Sequence, residues 1–440
     1  MPLNPERHPL VQLPPDEAAL VARVRDLVAG QIGPQADAVA QTDDFAWSTF
    51  RLLAREGVVA TAFPRAYGGS EASMLARVRI IEELASACST AASLITGTDL
   101  SSRPIVAGGS AALKAELLPR LATGELQSAF ALTEPGAGSD VARLACWYDD
   151  APGAEPEAGF RLHGHKKFIT RASTADVMVV VARRAGGPEG ARGLTAMLVR
   201  AGRPGLQISA HIPKLGWMGV PISMLRFDGV AVPRADLLGI EGRGMALAQD
   251  TLLRARIGHA AMAMGRLRGA LQIATQYAAK RKVSGRPISG HQGIQWRLAE
   301  MAAALEATRC LVYATALGYD QGHPDVATQA SIAKMQATDT GMRCIVDCLQ
   351  ILGGNGYLKA YPMERFFRDA KMNQIGEGTS EVHKNLIARH LVAQADALAL
   401  HPGLDLDPDL WCGAEDGLPE PWVAGEAEPQ APQARYPTRP

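Results

Sequence analysis

Four short segments hold side chains whose types and spacing suit chemistry at a bound ligand. Ile375-Gly376-Glu377-Gly378-Thr379-Ser380-Glu381 sets one carboxylate between two glycines, just ahead of a helix-like run with Val382 and Leu386. The flanking glycines leave Glu377 sterically open, and an accessible carboxylate can act as a general base; a surface cap is the competing reading. Phe130-Ala131-Leu132-Thr133-Glu134-Pro135-Gly136-Ala137-Gly138-Ser139-Asp140 runs from a strand-like stretch into a loop of glycines and small hydroxyls. With no Cβ at Gly136 and Gly138 the backbone can approach a pyrophosphate, and Ser139 can donate to it. The loop is neither a GxGxxG nor a P-loop, so a plain turn stays open beside that reading. Gly164-His165-Lys166-Lys167-Phe168-Ile169-Thr170 puts an aromatic and a hydroxyl two apart, on one side of a strand. Phe168 would stack on a planar ring and Thr170 bond its edge, unless the two are simply a half-buried pair. Gln350-Ile351-Leu352-Gly353-Gly354-Asn355-Gly356 ends a long periodic run at a glycine cluster, the pattern of a helix C-cap.

The elements that must carry these segments fall into three textures. Apolar residues at Leu20, Val21, Val24, Leu27 and Val28 recur at helical period, as do those around Phe50–Glu56, Met74–Ala87 and Ala111–Leu121, so residues 1–125 read as a helical domain. Short β-branched runs at Val177–Val181, Leu194–Val199, Leu206–Ser209 and Met224–Phe227, punctuated by Gly and Pro, make 126–235 an antiparallel β domain of barrel or sandwich type. Helical periodicity returns over 236–400. Leu298, Met301, Leu305, Leu311 and Val312 form one stripe, and Ile332, Met335, Met342, Ile345, Val346 and Leu349 another; both are expected to be core of a helical bundle. The Pro-rich segment 401–440 reads as an extended or disordered tail with Trp411 and Trp422 able to dock it.

Composition removes several classes of function. Lys plus Arg and Asp plus Glu stand at 45 each, so no overall field draws the chain to nucleic acid or an anionic membrane. No run of about 18 apolar residues appears, and the start lacks the layout of an export signal, so neither a membrane span nor export is expected, and the expected setting is the cytoplasm. Cys88, Cys146, Cys310, Cys344, Cys348 and Cys412 form neither a disulfide framework nor a zinc spacing. Cys344 and Cys348 share a helix face and are expected as a buried apolar pair, and no metal site is expected.

In this order, and with Arg281-Lys282 and Gln292 between them, the four segments resemble the acyl-CoA dehydrogenase family from about residue 20 to about residue 395. The resemblance implies an α+β fold: an N-terminal helical domain, a middle β domain and a C-terminal four-helix bundle. It also implies FAD bridging two subunits of a homotetramer built as a dimer of dimers, or of a homodimer. By carry-over Phe130, Leu132 and Thr133 meet the flavin ring, Gly138 and Ser139 a phosphate, and Phe168 and Thr170 the flavin's reactive side. Arg281, Gln292, Gln350, Leu352, Gly353 and Gly354 would reach the adenosine end from the neighbouring subunit, with Thr379 and Glu381 returning to the first. Glu377 would take the α-proton of an acyl thioester while flavin N5 receives the β-hydride. A low-water cleft would raise its basicity. Ser139, Arg256 and Gly378 are carried over as substrate contacts, and Arg103 is a candidate for the acyl wall. An electron-transferring flavoprotein is the acceptor the resemblance implies.

Three positions depart from the commonest family pattern. Ser284 stands where Phe is usual, Gly376 replaces a frequent Tyr and widens the cleft beside the base, and Ala255 occupies the place of an alternative glutamate. The competing functions are a dehydrogenase of acyl chains on a carrier protein, a flavin oxidase or monooxygenase on the same fold, and a non-enzymatic flavin scaffold.

Overall fold

The computed structural model describes residues 5, 8–151 and 159–395; the segment 401–440, with Trp411 and Trp422, lies outside the described residues. The elements that carry the site belong to the compact unit that ends at His390. Six α-helices come first: α1 (Pro15–Leu27), α2 (Gly33–Val39), α3 (Trp47–Arg55), α4 (Met74–Ala85), α5 (Ser89–Gly108) and α6 (Ala111–Ala122). Ser73 and Ser110 start α4 and α6 as N-caps, their hydroxyls accepting from Ala76 and Leu113 N–H at 3.1 and 3.2 Å.

The β domain holds β1 (Ser128–Ala131), β2 (Trp147–Asp150), β3 (Phe160–Thr170), β4 (Val177–Arg184), β5 (Leu194–Arg200), β6 (Leu206–Ile208), β7 (Ile222–Val232) and β8 (Leu237–Leu238). The sheet order is β6-β7-β3-β2-β4-β5-β8, with β1 also on β4. Most neighbours are antiparallel as expected, but β1 and β2 both run parallel to β4. Ala131 pairs with Val180 and Trp147 with Arg183, so the two strands follow one another along the same side of β4, and residues 132–146 loop out between them. Both ends of the glycine loop are thereby pinned to the same strand. Along β4, Val177, Val179 and Val181 face α5 and α6, while Met178, Val180 and Ala182 face the inside of the sheet with Phe160, Leu162 and Phe227. This burial on both faces explains the unbroken apolar run.

The C-terminal part comprises α7 (Gly244–Lys280), the hairpin β9 (Lys282–Val283) and β10 (Arg286–Pro287), then α8 (Gln292–Asp320), α9 (Val326–Leu352), α10 (Met363–Ile375) and α11 (Ser380–Ala393). At about 1.5 Å per residue, α7 is roughly 55 Å long, and it packs on α8, α9 and α10 as well as on α4 and α5. Gly269 permits the closest approach: a Cβ there would lie 1.9 Å from the Ser86 carbonyl oxygen. Buried charge fixes the register. Asp99 on α5 pairs with Arg77 of α4 and accepts from Arg254 of α7 at 3.3 Å, while Arg254 also donates to the Tyr319 hydroxyl at 2.7 Å.

Of the six residues of the second apolar stripe, only Ile345 is fully buried on the core face of α9. Its buried face is Ala330, Ala333, Lys334, Ala337, Thr338, Gly341, Cys344, Ile345 and Cys348, whereas Val346 is exposed and Ile332, Met335, Met342 and Leu349 are half-buried. Small residues face inward because α7 and α9 approach closely, and the larger side chains are displaced outward. Cys344 and Cys348 are buried as expected, with Cys348 against the Met301 sulfur.

Candidate active site

Glu377 occupies the joint between α10 and α11. Gly376 closes α10 with its N–H on the Met372 carbonyl at 2.8 Å, Glu377 adopts a left-handed backbone at φ +57°, and Gly378 follows at φ +99°. Such a conformation costs a non-glycine residue about 1–2 kcal/mol and persists where its surroundings fix it. Here Gln374 and Ser380, on either side of the joint, both donate to Asp339 Oδ1 of α9, at 2.7 and 2.8 Å. Lys334, 0% exposed on α9, donates from Nζ to the Gly378 carbonyl at 2.6 Å.

The Glu377 side chain is 16% exposed, and burial raises its carboxyl above the ordinary range against the opposing pull of Lys334 and Arg256. Lys334 is itself pushed down to about 8 by burial. Arg256 leaves its Nε buried and without a partner, on the face of α7 that meets the base. His259, one turn further along α7, brings Nε2 to 4.0 Å from Glu377 Oε1. His383 of α11 is buried near the Glu377 and Gly378 carbonyls, its ring nitrogens making no bond of normal geometry. Burial lowers both imidazoles to about 3, leaving them neutral. A weakly acidic carboxyl ringed by cations and neutral imidazoles is suited to accept a proton from carbon.

Gly376 lies against the imidazole. A Cβ there would lie 3.1 Å from His259 Cε1 and 3.0 Å from Met372 Cε, so the space beside the base is held by the imidazole. Ala255 is buried on α7.

The glycine loop and the aromatic strand are brought together. Lys167 N–H donates to the Thr133 carbonyl at 2.9 Å, and Lys166 Nζ reaches both the Leu132 carbonyl and Glu134 Oε1 at 2.8 Å. Glu134 in turn accepts from Ala145 and Cys146 N–H at 2.6 and 3.0 Å. The expected regular alternation breaks at Phe168, which sits at φ +60° where the pairing of β3 with β7 shifts register. That bulge turns the ring outward to 53% exposure, with Thr170 half-buried two residues on. Phe130 and Thr133 are half-buried, Leu132 is buried and Ser139 is exposed; Gly136 and Gly138 face open space.

Other predicted residues lie elsewhere in the chain. At about 1.5 Å per residue, Arg281 is roughly 33 Å along α7 from His259. It lines a cavity of about 460 Å³ with Tyr277, Lys280, Asn355 and Tyr361, where Asn355 Nδ2 donates to the Tyr277 hydroxyl at 2.9 Å. Gln292 and Gln350 are exposed, Leu352 is buried, and Gly353 (φ +57°, ψ −136°) and Gly354 face open space. Ser284 and Gly285 form the β9–β10 turn at φ +51° and +79°, a backbone in which a Phe would be strained. Thr379 and Glu381 open α11, where the Glu381 N–H and the Thr379 hydroxyl hold that carboxyl below its usual range. Arg103, the candidate for the acyl wall, lies on α5. Its guanidinium is held by Asp250 of α7, at 2.6 Å from Nε and 3.3 Å from Nη2, and serves as an α5–α7 tie.

Lys334, His259 and His383 were not among the predicted residues; His259 lies close to Arg256 in sequence and His383 close to Glu377, whereas Lys334 lies near no predicted residue. Among the described residues, His8, Glu306 and Cys310 converge closely enough for a metal. His8 Nδ1 accepts the Leu10 N–H at 3.2 Å, however, so Nε2 carries the proton and faces Glu306 and Cys310 as a donor.

Comparisons with known proteins agree with this layout. Family models for the N-terminal, middle and C-terminal domains of acyl-CoA dehydrogenase match residues 14–125, 129–230 and 242–392. An acyl-CoA dehydrogenase of Bacillus subtilis is 37% identical over 371 residues, 84% of this chain and 96% of its own. A cyclohex-1-ene-1-carbonyl-CoA dehydrogenase of Geobacter metallireducens is 38% identical over 373 residues, 84% of this chain and 96% of its own. The solved butyryl-CoA dehydrogenase of Megasphaera elsdenii superposes with a TM-score of 0.82 at 32% identity, covering 87% of this chain and 99% of that one. The chain belongs to the acyl-CoA dehydrogenase family, FAD-dependent enzymes that dehydrogenate an acyl thioester between its α and β carbons.

Proposed function

We propose that Glu377 is the base that removes the α-proton of an acyl-CoA thioester, and that FAD is held by the two loops described above. The observation that carries this is the Glu377 joint: a carboxylate held in left-handed backbone, raised by burial and faced by Lys334 and Arg256. FAD, when bound, accepts the β-hydride. The exposed Phe168 ring, on a strand whose Lys167 N–H holds the loop of the open Gly136 and Gly138 at Thr133, fits a planar ring carrying phosphates. On this reading Phe130, Leu132, Thr133 and Thr170 line the ring, and Gly138 and Ser139 meet phosphate, with Ser139 and the Gly378 segment also bordering the thioester. Arg256 supplies positive charge near the substrate carbonyl and favours the enolate that proton removal creates.

Arg281, Gln292, Gln350, Leu352, Gly353 and Gly354 would serve a second copy's FAD, with Thr379 and Glu381 completing the first. The separation along α7 supports that division. Exposed Val283, Trp296, Val346, Tyr357 and Leu358 support burial against further copies, as a homotetramer or homodimer. No helix among the described residues is long and apolar enough to cross a membrane, and the proposed setting is the cytoplasm with an electron-transferring flavoprotein as acceptor. Anaerobic bleaching of the flavin band by a panel of acyl-CoA and carrier-tethered thioesters tests the reading. Bleaching by acyl-CoA supports it, and bleaching by carrier-tethered chains alone contradicts the choice of carrier.

A further inference from the structure

The His259 imidazole beside Glu377 is oriented by a one-way chain of hydrogen bonds. Arg266, fully buried on α7, can only donate, and its Nη1 reaches Asn373 Oδ1 at 2.6 Å while Nε reaches the Ser89 hydroxyl at 3.0 Å. With its oxygen taken by a cation, the buried Asn373 amide must turn Nδ2 the other way, to His259 Nδ1 at 3.2 Å. Nδ1 is then an acceptor, so the neutral ring carries its proton on Nε2. That is the nitrogen 4.0 Å from Glu377 Oε1. Closing from 4.0 Å to the ~2.9 Å of an N–H···O bond takes a carboxylate displacement of about 1 Å.

Neutrality of the ring follows from its surroundings. Burial comes first, the cations Lys334 of α9 and Arg266 of α7 add to it against a second proton, the neutral His383 of α11 faces the same space, and the Trp217 ring lies 5.5 Å away. Lys334 and Arg256 are the cations that face Glu377 itself. Gly376 completes the arrangement, since a Cβ there would press on both the imidazole, at 3.1 Å, and Met372 Cε, at 3.0 Å.

We propose that His259 is a positioning residue for the dehydrogenation: locked as the Nε2–H tautomer by Arg266 and Asn373, it presents a neutral dipole that favours the carboxylate form of Glu377 and aims it into the cleft. The proposal rests on Glu377 being the base. It differs from a packing role in predicting that the acidity of Glu377 follows the donor rather than the volume at position 259.

The test combines two titrations of wild type, His259→Leu and His259→Gln. One is the infrared carboxyl band that disappears in Glu377→Gln, followed against pH in the protein without substrate. The other is the pH dependence of anaerobic flavin reduction by acyl-CoA. Loss of the donor is expected to move both midpoints up by roughly half to one pH unit, and His259→Gln, whose amide can both accept and donate, is expected to recover at least half of that shift. His259→Met replaces Leu if the latter does not fold. Unchanged midpoints in a folded Leu or Met variant, or a Gln variant shifted as far as Leu, would overturn the proposal while leaving the base assignment intact. Undiminished reduction by Glu377→Gln would overturn the base assignment, and the role of His259 with it.

Discussion

A carboxylate that must be ionised to take a proton, yet is held where water is scarce, depends on the charges around it. For Glu377 the principal ones are Lys334 and Arg256, and both favour ionisation against burial. The sign of a test follows directly. Lys334→Met removes a fully buried cation, so the Glu377 midpoint rises and the acid limb of the flavin-reduction profile moves to higher pH. A displacement of about one unit, with a fall of roughly tenfold below the limb, is the expected outcome of stopped-flow reduction across pH. Glu377 stood out in the sequence as a candidate because two glycines flank it, and the resemblance, not that spacing, proposed it as the base. Lys334 did not, because Ile332-Ala333-Lys334-Met335 reads as an ordinary amphipathic turn with its lysine in solvent. Only the arrival of Gly378, 44 residues later, covers that amine and gives it a carbonyl to bond.

At the scale of elements, the site is positioned by close approaches that sequence periodicity does not report. The three textures gave α3, α4, α6 and strands β4 to β7 nearly in place, since local period follows the face each element buries. They did not reveal that β1 and β2 follow one another along the same side of β4, a long-range pairing that pins the glycine loop at both ends. Nor did they reveal the inward face of α9, because small residues carry little hydrophobic signal even where helices pack most tightly. Gly269 measures that tightness. Gly269→Ala would drive a Cβ to 1.9 Å from the Ser86 carbonyl, and thermal unfolding is expected to show a loss of about 3 kcal/mol. Gly293→Ala on α8, where the added Cβ meets nothing within 4 Å, is expected to gain about 0.5 kcal/mol and serves as the contrast.

For the whole molecule, neutral buried imidazoles link the site to stability. His259 and His383 titrate near 3 in the fold, whereas an unfolded imidazole takes its proton near 6.5. Between those values the unfolded chain binds more protons, so stability is complete above about pH 6.5 and is lost as pH falls, by about 2 kcal/mol per imidazole at pH 5. Unfolding midpoints at pH 7 and pH 5 are expected to differ less in His383→Gln than in wild type. The same cluster that costs stability in acid surrounds the proposed base. The most direct measurement is single-turnover anaerobic flavin reduction in wild type and Glu377→Gln, with acyl-CoA carrying hydrogen or deuterium at the α-carbon. The predicted result is a primary isotope effect in wild type and a reduction rate about 10²–10⁴ lower in Glu377→Gln with acyl-CoA binding retained; reduction at the wild-type rate without Glu377 would contradict it.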